Sequence, residues 1–257
     1  MTLILSSQRR FAGEIPLSSG VLAEPYRLLS LIWGDRLVRQ VLAVVLGVIL
    51  AIILVFTVSG IWSDGSELAH IVHSNFHLSE DGSLAENFNH GIAFVAAFLL
   101  LASAIQTRSR VFVFLTLLYG FIWLDDSARY HERVGEKLGR VLDIQPHFGL
   151  GAQEYGELLA WTLAGAVLAV VLLWAWAGRR RGDVGVLLPF LGCFVLLFLC
   201  GVVADVVHKW VPEGLNPLFQ VIEDGGEMIA VALGAALAFG TLRHVEAYYA
   251  GVEETSG

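Results

Sequence analysis

Six apolar stretches, each of roughly twenty residues, limit what this chain can become. They run over residues 38–62, 88–107, 110–130, 155–177, 184–209 and 219–242. A bilayer core about 30 Å thick takes about 20 residues of helix. Backbone polar groups inside it must be satisfied within the structure, which leaves helices or closed barrels. The stretches are rich in Leu, Val, Ala, Phe and Gly and lack the alternation of a barrel strand. The expected fold is therefore all-α, a polytopic membrane protein with a six-helix transmembrane bundle. A hydrophobic content of 56% against 16% charged residues and a mean hydropathy of +0.69 place the chain outside the soluble class. The expected division is a cytoplasmic or interfacial segment over 1–37, the transmembrane domain over 38–243 and a short cytoplasmic tail over 244–257. Residues 26–37, YRLLSLIWGDRL, read as an interfacial amphipathic segment. The opening MTLILSSQRRFAGEIPLSS does not read as a secretory signal, because its arginines follow a very short apolar run.

Basic residues set orientation. Arg9, Arg10, Arg27, Arg36 and Arg39 precede the first span. Arg108 and Arg110 separate the second and third, Arg179, Arg180 and Arg181 the fourth and fifth, and Arg243 follows the sixth. All fall on one side, so both termini are expected in the cytoplasm of a plasma (bacterial inner) membrane. Trp62, Trp123, Trp161 and Trp210 would form the outer aromatic belt, and Trp174 and Trp176 the inner one. Most of the 24 acidic residues gather on the opposite side from the arginines, and no span is expected to bring one to the inner half.

Depth separates exposed acids from embedded ones. At about 1.5 Å per residue, Asp125 lies about 22 Å along from Arg110, and His90 about 24 Å from Gln106. Glu227 lies about 24 Å from Arg243, and Asp205 about 27 Å from Leu187, so all four sit inside a core about 30 Å thick. His131, His208 and Glu223 come out near its edge. Glu86–His90 and Glu223–Glu227 are spaced i, i+4. Asp205–His208 and Glu154–Glu157 are spaced i, i+3. Each pair shares a helix face. Carboxylate-x-x-His on facing helices is how bundles hold metal centres, and imidazole with carboxylate suits zinc, iron or manganese. Candidate metal ligands are His90, His131, Asp205, His208 and Glu86, with Asp125, Asp126 and Glu227 as candidate catalytic acids. Ionisable groups at such depth are costly and rare outside functional sites.

Bland alternatives stand beside this. Glu80, Asp81, Glu223 and Asp224 read as capping acids at helix starts. Asp125, Asp126 and Asp205 sit where a helix dipole disfavours negative charge, so they need a cation: Arg129, His131, His208 or a metal. Glu67, His70, His73 and His77 form a stripe, either a surface metal or pH-responsive site or a plain amphipathic loop helix. Cys193 and Cys200 read as inert fillers of one helix face.

The functional expectation is a metal-dependent membrane hydrolase acting on an amphiphilic substrate. The cation would activate a water and a spare carboxylate would serve as base; a dinuclear oxidative centre is its enzymatic variant. The alternative is a non-catalytic subunit that pairs with other membrane subunits. Proton or cation translocation ranks last, because the inner halves of the spans are almost free of ionisable residues. No P-loop, GxSxG or HExxH is present, the final span has no lysine for a retinal Schiff base, and the few, scattered basic residues exclude nucleic acid. The His and Asp layer resembles the ceramidase-like superfamily of membrane metal hydrolases. That family has seven spans and an HxxxH in the last, where this chain has EDGGE, so no residues carry over.

Overall fold

The computed structural model describes residues 22–62, 65–147, 150–208 and 210–254, so Arg9, Arg10 and Lys209 lie outside the described residues. The described residues are all-helical, with no named strand. Six helices are long and apolar enough to cross a membrane. In chain order the helices are α1 (Ala23–Gly34), α2 (Arg36–Trp62), α3 (Glu67–Asn75), α4 (Leu84–Thr107), α5 (Arg110–Ala128), α6 (Tyr130–Val141), α7 (Ala152–Ala177), α8 (Asp183–Phe198), α9 (Asp205–His208) and α10 (Asn216–Glu254). A π-helical turn, Leu199–Ala204, joins α8 to α9.

Helix α10 is the centre, packing against α1, α2, α4 and α8. It can do so because its buried face is built from small residues, among them Ala230, Ala232, Gly234, Ala236, Ala238 and Gly240. Small residues let helix backbones approach closely where apolar surroundings give no hydrophobic drive to associate. Opposite it, Phe112, Leu115, Leu118 and Tyr119 of α5 are almost fully buried. The helix starts at Asn216, not near Glu223. Glu223 and Asp224 therefore stand about two turns inside it and cannot cap its first turn.

Helix starts are capped where the sequence has serine. Ser83 Oγ accepts from the Glu86 N–H at 3.1 Å, and the Glu86 carboxylate accepts from the Gly82 N–H in return. This is a reciprocal cap, so Ser83 and Glu86 fill the role expected of Glu80 and Asp81. Ser109 caps α5, accepting from the Val111 N–H at 3.2 Å.

The arginine-bearing end is fastened by two acids. Asp183 is 1% exposed, which departs from the expectation that no acid reaches this half. Its charge is fully answered: Ser109 Oγ donates at 3.0 Å, Tyr249 OH at 2.5 Å and the Arg180 N–H at 2.7 Å. Asp35 links three helices. It accepts from the Leu37 N–H at 2.8 Å, capping α2, and meets Arg243 Nε at 2.8 Å and His244 Nε2 at 2.9 Å, both on α10. Burial raises the Asp35 carboxyl, but these donors outweigh it and bring it down to about 2. Trp174 and Trp176 at this end lie under the guanidinium groups of Arg110 and Arg179, at 5.0 and 4.2 Å.

Asp35→Ala should lower unfolding stability by about 2–4 kcal/mol, through the lost cap and charged hydrogen bonds. Asp35→Asn, which keeps the cap, should cost less. Because the folded carboxyl lies below its unfolded value near 4, this stabilisation is full above pH 4 and fades as pH falls towards 2. Thermal unfolding of the three proteins in detergent across pH 2–7 checks both points.

Candidate acidic chamber

The stretch FIWLDDSARYHE reads in sequence as the end of one helix. In the structure it is two. Arg129 adopts a left-handed conformation, φ 51° and ψ 47°, ending α5 and starting α6. Its guanidinium turns away from Asp125 and Asp126. Nε donates to Glu132 Oε1 at 3.1 Å and Nη2 to Glu132 Oε2 at 2.5 Å, while Nη1 meets Asp81 at 2.8 Å. The bland pairing of Arg129 with the two aspartates is thereby overturned.

The break also changes the surroundings of Asp125, which is 6% exposed. Its Oδ1 accepts from the His131 backbone N–H at 3.1 Å, in the first turn of α6. An acid at the unfavourable end of one helix thus answers the positive end of the next. Its Oδ2 accepts from Trp161 Nε1 of α7 at 2.7 Å. The same oxygen lies 3.2 Å from His131 Nδ1, off the direction of a well-formed hydrogen bond. The His131 and Trp161 rings are 4.7 Å apart. Burial pushes the His131 imidazole down, but the close carboxylate of Asp125, with Glu157 and Glu132 nearby, outweighs it and leaves it above its ordinary value. Trp161 is therefore an inward-turned hydrogen-bond donor as well as a ring at the acidic end.

Helices α6 and α7 are zipped by glycine. A Cβ on Gly156 would collide with the Gly135 backbone, and one on Gly139 with the Ala152 carbonyl. This close approach sets Glu157 and Trp161 beside His131.

A cavity of about 610 Å³ opens next to this junction, lined by residues from α4 to α10. Of the sequence-derived candidates, Asp125, Asp126, Glu227, Glu86, His90, His131 and Asp205 all line it. His208 does not line it; its Nδ1 sits 2.9 Å from Glu223 Oε2. Glu86 is partly committed to the α4 cap, and His90 Nε2 lies 3.8 Å from its other oxygen. Glu227 is admitted by Gly201 in the π-helical turn, where a Cβ would strike its carboxylate. Such turns recur at functional sites. Asp126, Asp224 and Glu227 form no ion pair with Lys or Arg among the described residues. Two wall oxygens, Asn89 Oδ1 and Asp224 Oδ2, are buried with no hydrogen-bond partner. Among the described residues, no three His, Cys, Asp or Glu side chains are gathered into a ready metal-ligand set.

The histidine stripe of α3 has a packing role. His73 stacks on Phe56 of α2 at 4.9 Å, and His77 meets both edge-on. Burial and the neighbouring His73 hold the His77 imidazole below its usual value.

A family model described as a domain of unknown function, DUF8692, matches residues 36–241. The chain belongs to that family, and the match takes in every residue of the chamber wall named above. No curated protein and no solved structure matches the chain.

Asp125→Asn should return the His131 imidazole towards its ordinary value, read by NMR titration of its ring protons. A raised histidine value stabilises the fold fully below about pH 6.5 and loses that contribution as pH rises through the folded value. The stability gap between wild type and Asp125→Asn should therefore be widest below pH 6.5 and narrow above it.

Proposed function

We propose that this chain is a multi-pass membrane protein, arginine end in the cytoplasm and acidic end outward, and that its chamber binds a divalent cation and hydrolyses an amphiphilic substrate. The observation that carries the reading is the cluster of Asp126, Asp224 and Glu227 in the cavity wall, none of which pairs with Arg129, whose guanidinium is held by Asp81 and Glu132. Buried carboxylates repel one another and cost several kcal/mol each unless a cation or protons answer them. The cavity volume falls in the range of small-molecule sites.

The wall fits an oxygen-preferring ion better than a soft one. The imidazoles are largely engaged: His131 with Asp125, His208 with Glu223, His90 near Glu86. Carboxylates and an amide oxygen remain, which favours manganese over zinc among the metals expected. Such ions are commonly held by one or two carboxylates with water and substrate oxygens completing the shell, so a ready three-ligand set is not required. A bound cation supplies Lewis acidity and lowers the pKa of a coordinated water. Asp126 or Glu227, whichever is not holding the ion, would be placed to act as the base. His131, beside Asp125, would be the group placed to give a proton to the leaving group. Asp125 itself positions His131 and Trp161.

The alternative, a non-catalytic subunit of a larger membrane complex, draws on an apolar groove between α4 and α5 lined by Phe94, Phe98, Leu101, Leu117 and Leu124. Translocation is disfavoured by the apolar layer of Leu115, Leu118, Val186 and Phe190, which separates the chamber from the fully bonded Asp183.

Elemental analysis of the purified protein should find a divalent ion in stoichiometric amount, lost in the Asp126→Asn/Glu227→Gln double variant. Background metal in the wild type, unchanged after incubation with manganese, zinc or iron, would sink the hydrolase reading. Purification as a stable monomer counts against the subunit reading.

A further inference from the structure

Consecutive helices joined by a short turn ordinarily pack side by side. Helices α7 and α8, joined only by residues 178–182, do not follow this. The packing partners of α7 are α5 and α6, and those of α8 are α1, α10 and, more lightly, α5, which backs both helices; α7 and α8 have no comparable packing with each other. The two splay apart, and the acidic chamber extends into the gap. Gly165 and Leu168 of α7 line it on one side. Phe194, Leu197 and Phe198 of α8 line it on the other. No charged residue lies on either helix between Glu157 and Leu168 or between Phe194 and Asp205.

The reach of this apolar extension is informative. Glu157 to Leu168 on α7 is eleven residues, or about 16 Å of helix, and Phe194 to Asp205, running from α8 through the π-helical turn to the start of α9, is also eleven residues. Half of a bilayer core about 30 Å thick is about 15 Å. An apolar slot of that depth, hanging below an acidic head chamber, has the dimensions of one leaflet. The space beside Gly165 is open: a Cβ there would meet nothing within 4 Å.

We infer that the gap between α7 and α8 is a lateral portal, and that the chamber's substrate is a membrane lipid whose acyl chain lies between these helices with its headgroup at Asp126 and Glu227. The inference rests on the proposed reading only in taking the chamber as the substrate's site; it needs neither metal nor hydrolysis. The carboxyl groups of Asp126, Asp224 and Glu227 favour a head that brings positive charge, either its own ammonium or a cation bound to its phosphate. The occupant of the slot is in both cases the acyl chain. A soluble amphiphile entering from the aqueous face would not need the slot open along the side.

The test is photo-crosslinking in vesicles of phosphatidylethanolamine and phosphatidylglycerol, doped with a phosphatidylethanolamine carrying a mid-chain diazirine. Adducts are mapped by residue with mass spectrometry. The expected adducts fall on Leu168, Phe194 and Leu197, which face the slot, beyond the general labelling of outward residues such as Val195, Leu196 and Leu199. Gly165→Phe fills the slot where space is open, and should cut the slot adducts at least fivefold while leaving those on Leu50 and Leu54 of α2 unchanged. Gly165→Ala should keep them. Slot adducts that survive Gly165→Phe, or labelling confined to outward faces in the wild type, would overturn the portal. The two readings fail separately. A metal-free wild type with slot adducts intact leaves the portal standing and removes the hydrolase. A metal-loaded wild type without slot adducts does the reverse.

Discussion

The carboxylate of Asp125 holds the acidic half of this molecule together. It takes the first-turn N–H of α6, the indole N–H of Trp161 on α7 and the proximity of His131, all from the end of α5. Three helices meet at one side chain. The sharp reversal at Arg129 is tenable because Asp125 satisfies an N–H that the break exposes, and because Glu132 and Asp81 hold the arginine in its left-handed conformation. The glycine contacts of α6 with α7 then carry that fixed point down the bundle. Everything the chamber offers on its α5–α6–α7 side is placed relative to Asp125.

Two acids illustrate how one chemistry serves different ends. Asp183, deep at the arginine end, has donors on both of its oxygens. Asp224 is half-buried, yet its Oδ2 is fully enclosed and has no donor. An unsatisfied buried polar group costs about 1–3 kcal/mol. A fold that can saturate Asp183 so completely has the means to do so elsewhere, and the chamber wall is where it does not. Sites that give up stability in this way are those where proteins keep function.

The six long helices were legible from apolar runs alone, since length and hydropathy are properties of contiguous sequence. Their ends were less so. Helix α10 begins at Asn216 and continues to Glu254, because Tyr248 and Val252 are buried beyond the basic residue that suggested an end. The chamber was legible as a shared depth: Asp125, Asp126, Asp205, Glu227 and His90 were placed level by counting residues, and they do line one cavity. Rotation about each helix axis was not. That is why His208, placed near the rim with His131, turns to Glu223 instead. The break at Arg129 carries no glycine or proline to announce it. Trp161 looked like an interfacial ring because its partner is 36 positions away. The π-helical turn had only Gly201 as a trace, and the need for that glycine comes from Glu227 on another helix.

The central position of α10 has a consequence for how the molecule is made. It is the last of the six long helices in chain order, yet α1, α2, α4 and α8 all pack on it. A chain synthesised from its N-terminus therefore presents five long helices before the element that organises them exists. Until α10 arrives, the arginine-end latch at Asp35 lacks Arg243 and His244, and the chamber lacks Asp224 and Glu227. The nascent bundle is then a loose assembly with buried-type surfaces uncovered, and its final state is reached in one late step. Assembly quality rests on the fate of that last segment, which makes the interval before its release the period when this protein most needs protection from proteases and from wrong partners.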